Sequence, residues 1–149
     1  MSLLDKTKGA SKMAGADSKP IILVVDDEAA IRSAIGRILE RADYVHFEAS
    51  DPNTALGLAD LYPFALVLCD VNMPGGSGLE MLRVLRKLHP NIAVVMVTGI
   101  ADELTAGRAA EFGAAGYVVK PFETKDLLMT VASALEQRQV AMGRQAVPK

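Results

Sequence analysis

The sequence predicts an α/β protein, a three-layer sandwich in which a five-stranded parallel sheet lies between two layers of helices. Two observations carry this. Five short apolar runs, starting at residues 21, 44, 65, 92 and 116, alternate with five segments of helical period, the pattern of successive βα units with right-handed crossovers. Three of the runs are apolar without alternation, as strands covered on both faces are. The starts lie 21 to 27 residues apart without a repeated motif, which argues against a solenoid.

Taken in order, the first run is Ile21–Val25 (IILVV), followed by a helical segment over 30–41. The second, 44–48 (YVHFE), mixes in polar residues as an edge strand does. Pro52 then opens a helix over Pro52–Leu61, proline being favoured in the first helical turn. The third and fourth runs, 65–69 (ALVLC) and 92–97 (IAVVMV), are apolar throughout. Between them, 78–88 carries Leu79, Leu82, Leu85 and Leu88 on one face, which Met81 and Val84 widen. Segment 102–112 stops before Gly113, a residue suited to a helix C-terminus. The fifth run, Gly116–Val119, leads through Pro121 into a helix over 124–138.

This divides the chain into three parts. Residues 1–19, rich in Lys, Ser, Ala and Gly, read as a disordered leader or a remnant of expression. Residues 20–139 form the folded domain, and 140–149 a flexible, solvated tail or the start of a linker to an output domain absent here. The 149 residues suit a single domain, half of them hydrophobic. A net charge of -2 gives no electrostatic footprint for nucleic acid, so direct nucleic-acid binding is not expected. Cys69 is the only cysteine and reads as a small buried hydrophobe. No signal peptide is apparent, and no apolar run approaches the roughly 18 residues of a membrane span. A cytoplasmic protein with no membrane attachment is expected. His46 and His89 lack a third ligand at metal-site spacing and read as packed or solvated side chains.

In such a fold, function gathers outside the carboxyl ends of the strands. Ile21–Val25 is followed by Asp26, Asp27 and Glu28, and residues 65–69 by Asp70. The fourth run ends in Val97-Thr98-Gly99 and the fifth in Lys120-Pro121-Phe122. One Asp after a strand is usually a turn former or helix cap. Three carboxylates, a Thr and a Lys on one edge are harder to explain as separate caps. Clustered carboxylates repel, and a hard divalent cation such as Mg2+ relieves this with oxygen ligands and waters. One carboxylate is then a candidate nucleophile, and Thr98 and Lys120 are candidate contacts for an incoming phosphoryl group.

Asp26-Asp27, the run from Asp70 through Asn72-Met73-Pro74 to Gly78, Val97-Thr98-Gly99 and Lys120-Pro121-Phe122 resemble the receiver domain of two-component response regulators, over roughly residues 20–139. The resemblance implies a CheY-like, flavodoxin-like sheet in the order 2-1-3-4-5. It implies that Asp70 accepts a phosphoryl group from a histidine kinase or phosphotransfer protein. Asp26, Asp27, Asp70 and the main-chain carbonyl of Asn72 would hold Mg2+, Asp27 directly and Asp26 through water. Thr98 and Lys120 would contact the phosphoryl oxygens, and the Lys120–Pro121 bond would be cis. Thr98 and Tyr117 would form the switch, reshaping a face made by the fourth helix, fifth strand and fifth helix for an output domain, a downstream protein or a phosphorylation-dependent homodimer.

Asn72 and Ile100 would tune phosphoryl lifetime. Apolar Ile100 cannot orient water, so no help with hydrolysis is expected from that side. Gly75-Gly76-Ser77-Gly78 lacks the spacing and the Lys of a P-loop and reads as a mobile loop beside the acidic pocket. A domain of this kind assists its own phosphorylation and dephosphorylation but turns over no separate substrate. The competing reading is a Mg2+-dependent phosphatase with an Asp nucleophile, of the haloacid dehalogenase kind. There the nucleophile and second Asp stand two apart after the first strand, whereas Asp26 and Asp27 are adjacent.

Overall fold

A computed structural model describes residues 19–73, 76–99 and 102–146. Five parallel strands, β1 (Ile21–Val25), β2 (Val45–Ala49), β3 (Leu66–Cys69), β4 (Ala93–Thr98) and β5 (Gly116–Val119), stand in the order β2-β1-β3-β4-β5. The helices between and after them are α1 (Ala29–Arg41), α2 (Pro52–Leu61), α3 (Gly78–Leu88), α4 (Glu103–Glu111) and α5 (Thr124–Ala146).

Alternate strand residues feed two cores. Ile22 and Val24 pack with Ile35 and Leu39 of α1 and with Leu127, Val131 and Ala134 of α5. Leu23 and Val25 pack with Ala55 and Ala59 of α2, Met81, Leu82 and Leu85 of α3 and Ala109 of α4. With β1, β3 and β4 buried on both faces, their runs have no polar alternation to show. The mixed run around β2 does lie on an edge.

Local chemistry sets the ends. Asp51 and Asp102 accept from the backbone N–H of Thr54 and Thr105 and so cap α2 and α4. Gly113, after α4, adopts φ +97, where glycine has no Cβ penalty. β2 begins at Val45 instead of Tyr44 because the Tyr44 N–H is taken by the Leu39 carbonyl, closing α1.

Three expectations are corrected. Residues 140–146, read as a flexible tail or the start of a linker, are helical and continue α5. Helix-forming residues carry the helix on, Arg138 Nε anchors it to the Asn91 carbonyl at 2.7 Å, and Met142 is half-buried. Leu88, the last residue of α3, is 60% exposed and does not share the burial of Leu82 and Leu85. Gly76–Ser77 pairs antiparallel with Asn72–Met73, so this part of the glycine-rich stretch is an ordered hairpin arm and not a loose loop. Of the leader read over residues 1–19, residues 1–18 lie outside the described residues.

Candidate functional site

The parallel register assembles the site. Val25 lies opposite Cys69, so Asp26 and Asp70 leave neighbouring strands together. Thr98 lies opposite Val119, and the Lys120 N–H donates to the Thr98 carbonyl at 2.8 Å. From there Lys120 Nζ reaches inward, 2.6 Å from Asp26 Oδ2 and 3.0 Å from Asp70 Oδ2. The Lys120–Pro121 peptide is cis. Both carboxylates are buried, and their second oxygens are also held. Asp26 Oδ1 accepts from the Glu28 N–H at 2.9 Å and Asp70 Oδ1 from the Asn72 N–H at 3.2 Å.

Asp27 is exposed at the mouth of the pocket. Asp26, Asp27 and Asp70 each offer an oxygen, all within 4.8 Å of one another. Trans ligands of a Mg2+ octahedron stand about 4.2 Å apart, so the donors are nearly at the required spacing and are all hard oxygens. One ammonium against three carboxylates leaves the negative charge that a divalent cation balances. The residues present fit Mg2+. Burial tends to lower the Lys120 pKa, but its bonds to Asp26 and Asp70 outweigh this and hold it above the ordinary value. The lysine is therefore a fixed positive charge.

Thr98 is buried at the end of β4, one strand from Asp70. Tyr117 lies on β5 opposite Met96, half-buried against the core beneath α2, α3 and α4. Its phenol pKa is raised by burial first, then by Asp102 and Asp70. The Asn72 side chain is exposed. Ile100 lies outside the described residues. His46 is buried 3.0 Å from Glu48 Oε2, and His89 pairs with Asp60.

Two contributors escaped the sequence reading. A Cβ on Gly78 would fall on the Asp70 carbonyl oxygen, so only glycine lets α3 start this close to the acidic strand. The run Asp70 to Gly78 contained that residue but no sign of what it approaches. Arg32 Nη1 donates to the Asp26 carbonyl at 2.7 Å, a contact that no local pattern announces.

The family model described as the response regulator receiver domain matches residues 22–132. The chain belongs to that family. The receiver is similar to the aerobic respiration control protein ArcA of Escherichia coli (strain K12), at 34% identity over 118 residues, 79% of this chain and 49% of that protein. It thus spans about half the length of the curated relatives it matches. Among solved structures it is similar to a CheY-like receiver domain protein from Methanospirillum hungatei, with TM-score 0.79, 31% identity and coverage of 83% of this chain and 99% of that one. It is also similar to the response regulator protein TrrA of Thermotoga maritima, solved in complex with Mg2+-BeF, with TM-score 0.71, 30% identity and coverage of 77% and 98%.

The protein is a two-component receiver, a phosphoacceptor signalling domain whose Asp26, Asp27 and Asp70 form an acidic triad typical of a receiver Mg2+ site. This sets aside the phosphatase reading. Among the described residues no helix is long and apolar enough to cross a membrane.

Proposed function

We propose that Asp70 is the phosphoacceptor of this receiver and that Asp26, Asp27, Asp70 and the Asn72 carbonyl hold Mg2+. The observation that carries this is Lys120 Nζ bonded to both Asp26 and Asp70 beside the third carboxylate. A bound Mg2+ supplies positive charge to the phosphoryl oxygens and offsets the repulsion of the approaching dianion. The chain's own residues do the rest. Asp70 presents a carboxylate oxygen that forms the new P–O bond as the P–N bond of a phosphohistidine donor breaks, the imidazole nitrogen taking up a proton. Lys120 and Thr98 bond phosphoryl oxygens as they arrive. The donor is a histidine kinase or a phosphotransfer protein.

Thr98 and Tyr117 then carry the change outward. A phosphoryl group drawing Thr98 toward Asp70 opens room for the Tyr117 ring to turn inward, favouring one pre-existing state of the α4–β5–α5 face. That face serves an output domain or downstream protein, or pairs two phosphorylated copies. Asn72 and Ile100 flank the path of hydrolytic water and set the lifetime. The folded receiver runs from residue 20 to the end of α5, works in the cytoplasm and makes no direct contact with nucleic acid.

The test is incubation with a small phosphodonor and Mg2+, followed by intact mass measurement. Wild type should gain one hydroxylamine-sensitive phosphoryl group and Asp70→Asn none. No gain in wild type, or an equal gain in the variant, would defeat the assignment.

A further inference from the structure

Lys120 holds the pocket loop from one side, and Arg32 holds it from the other. Arg32 sits in α1, its backbone N–H bonded to the Glu28 carbonyl at 3.1 Å. Its Nη1 donates to the main-chain carbonyl of Asp26 at 2.7 Å, and its Nε lies 3.3 Å from Glu48 Oε1 on β2. The second oxygen of Glu48 lies 3.0 Å from His46 Nε2, so Glu48 is itself held at both ends. The guanidinium therefore ties the loop carrying Asp26 and Asp27 to the neighbouring strand. Its planar fork serves two acceptors at once, which an ammonium does less well. All three oxygens of Asp26 are then engaged, by Lys120, Glu28 and Arg32.

Two effects on a cation oppose each other here. Arg32 is a positive charge near a cation site and repels; as a clamp it keeps the Asp26–Asp27 corner ready to bind. Glu48 offsets the charge at close range, whereas apart from Arg32 this corner is tied to β2 by a single backbone bond, from the Asp26 N–H to the Ala49 carbonyl at 3.2 Å. We infer that Arg32 is a positioning residue whose net effect is to strengthen Mg2+ binding in the pocket. The inference rests on the phosphoacceptor reading above.

The sign of the change on substitution decides it. Mg2+ binding to the unphosphorylated chain is followed by calorimetry, and phosphorylation by a small phosphodonor is resolved into half-saturating Mg2+ and maximal rate. Arg32→Ala should raise both the Mg2+ dissociation constant and the half-saturating concentration about tenfold, the size of effect usual for groups that orient metal ligands. The maximal rate should stay within about twofold. Glu48→Gln should move both constants the same way by less, and Arg32→Lys should restore part of the loss. Unchanged or tighter Mg2+ binding in Arg32→Ala overturns the inference, tighter binding meaning that its charge alone matters. If that variant does not fold, Glu48→Gln and Arg32→Lys carry the test, and wild-type constants in both overturn it. Wild type that binds Mg2+ but takes no phosphoryl group defeats the phosphoacceptor reading, while calorimetry still reads the role of Arg32.

Discussion

The two ends of the sheet treat charge in opposite ways. At the amino end, cations are absorbed by neutral groups or by surface partners. Arg86 Nη1 donates to the Pro90 and Ile92 carbonyls, Arg138 Nε to Asn91, and His89 pairs with largely exposed Asp60. At the carboxyl end, one lysine meets two buried carboxylates with a third beside them, and negative charge stays in excess. The first arrangement is complete as it stands. The second is complete only with a ligand, and this imbalance, more than the number of charges, distinguishes the functional edge.

Lys120→Ala should break the contrast most severely. Phosphoryl transfer to Asp70 should slow by about 100- to 1000-fold, as on loss of one preorganised charge-stabilising group. Two buried carboxylates left facing each other should destabilise the fold by at most about 3 kcal/mol, since the Asp27 side is open to solvent. Added Mg2+ should recover much of that in thermal melts. A variant that melts like wild type with and without Mg2+ would mean that the lysine does not balance the pocket.

Gly78→Ala comes next. Its methyl group would collide with the Asp70 carbonyl, so a loss of about 1–3 kcal/mol in denaturant melts is expected, with slower phosphoryl uptake. At the other end, Arg138→Ala removes a bond to Asn91 and should cost about 1 kcal/mol with no change in phosphorylation rate. An equal effect of both on rate would erase the distinction between the ends.

The smallest effects concern pH. Backbone N–H donors of Thr54 and Thr105, chiefly, hold Asp51 and Asp102 below the ordinary value of 3.8. Their contribution is present above that value and is lost as pH falls through the lower folded values. Amide exchange in the first turns of α2 and α4 should therefore rise, relative to the core strands, only at strongly acidic pH. Asn at both positions should abolish that dependence. Lys120 runs the other way. Its folded pKa is raised, so its contribution is present below about 10.5 and is lost as pH climbs through the folded value.

Much of this was legible along the chain. Apolar runs without alternation gave β1, β3 and β4, and polar residues among apolar ones marked β2 as an edge. The carboxylates, Thr98 and Lys120 could be found because each follows a strand, and parallel strands send their carboxyl ends to one side. What escaped depends on distances between elements. The grip of Arg32 on Asp26 depends on how α1 lies against β2. The need for glycine at 78 appears only once α3 abuts the Asp70 carbonyl. The last turns of α5 were misread because a weak apolar period does not show that Arg138 will find the Asn91 carbonyl.

Cys69 gives the central strand a built-in clock. It has no exposed surface, it directly precedes Asp70, and burial, then Asp70 and Asp26, push its thiol pKa well up. An alkylating reagent needs the thiolate, so it must wait for the sheet to open at β3. With no other cysteine in the chain, the labelling rate in native buffer reports how often the strand bearing Asp70 comes loose, without an introduced probe. Ligands that tighten the acidic pocket should slow that clock.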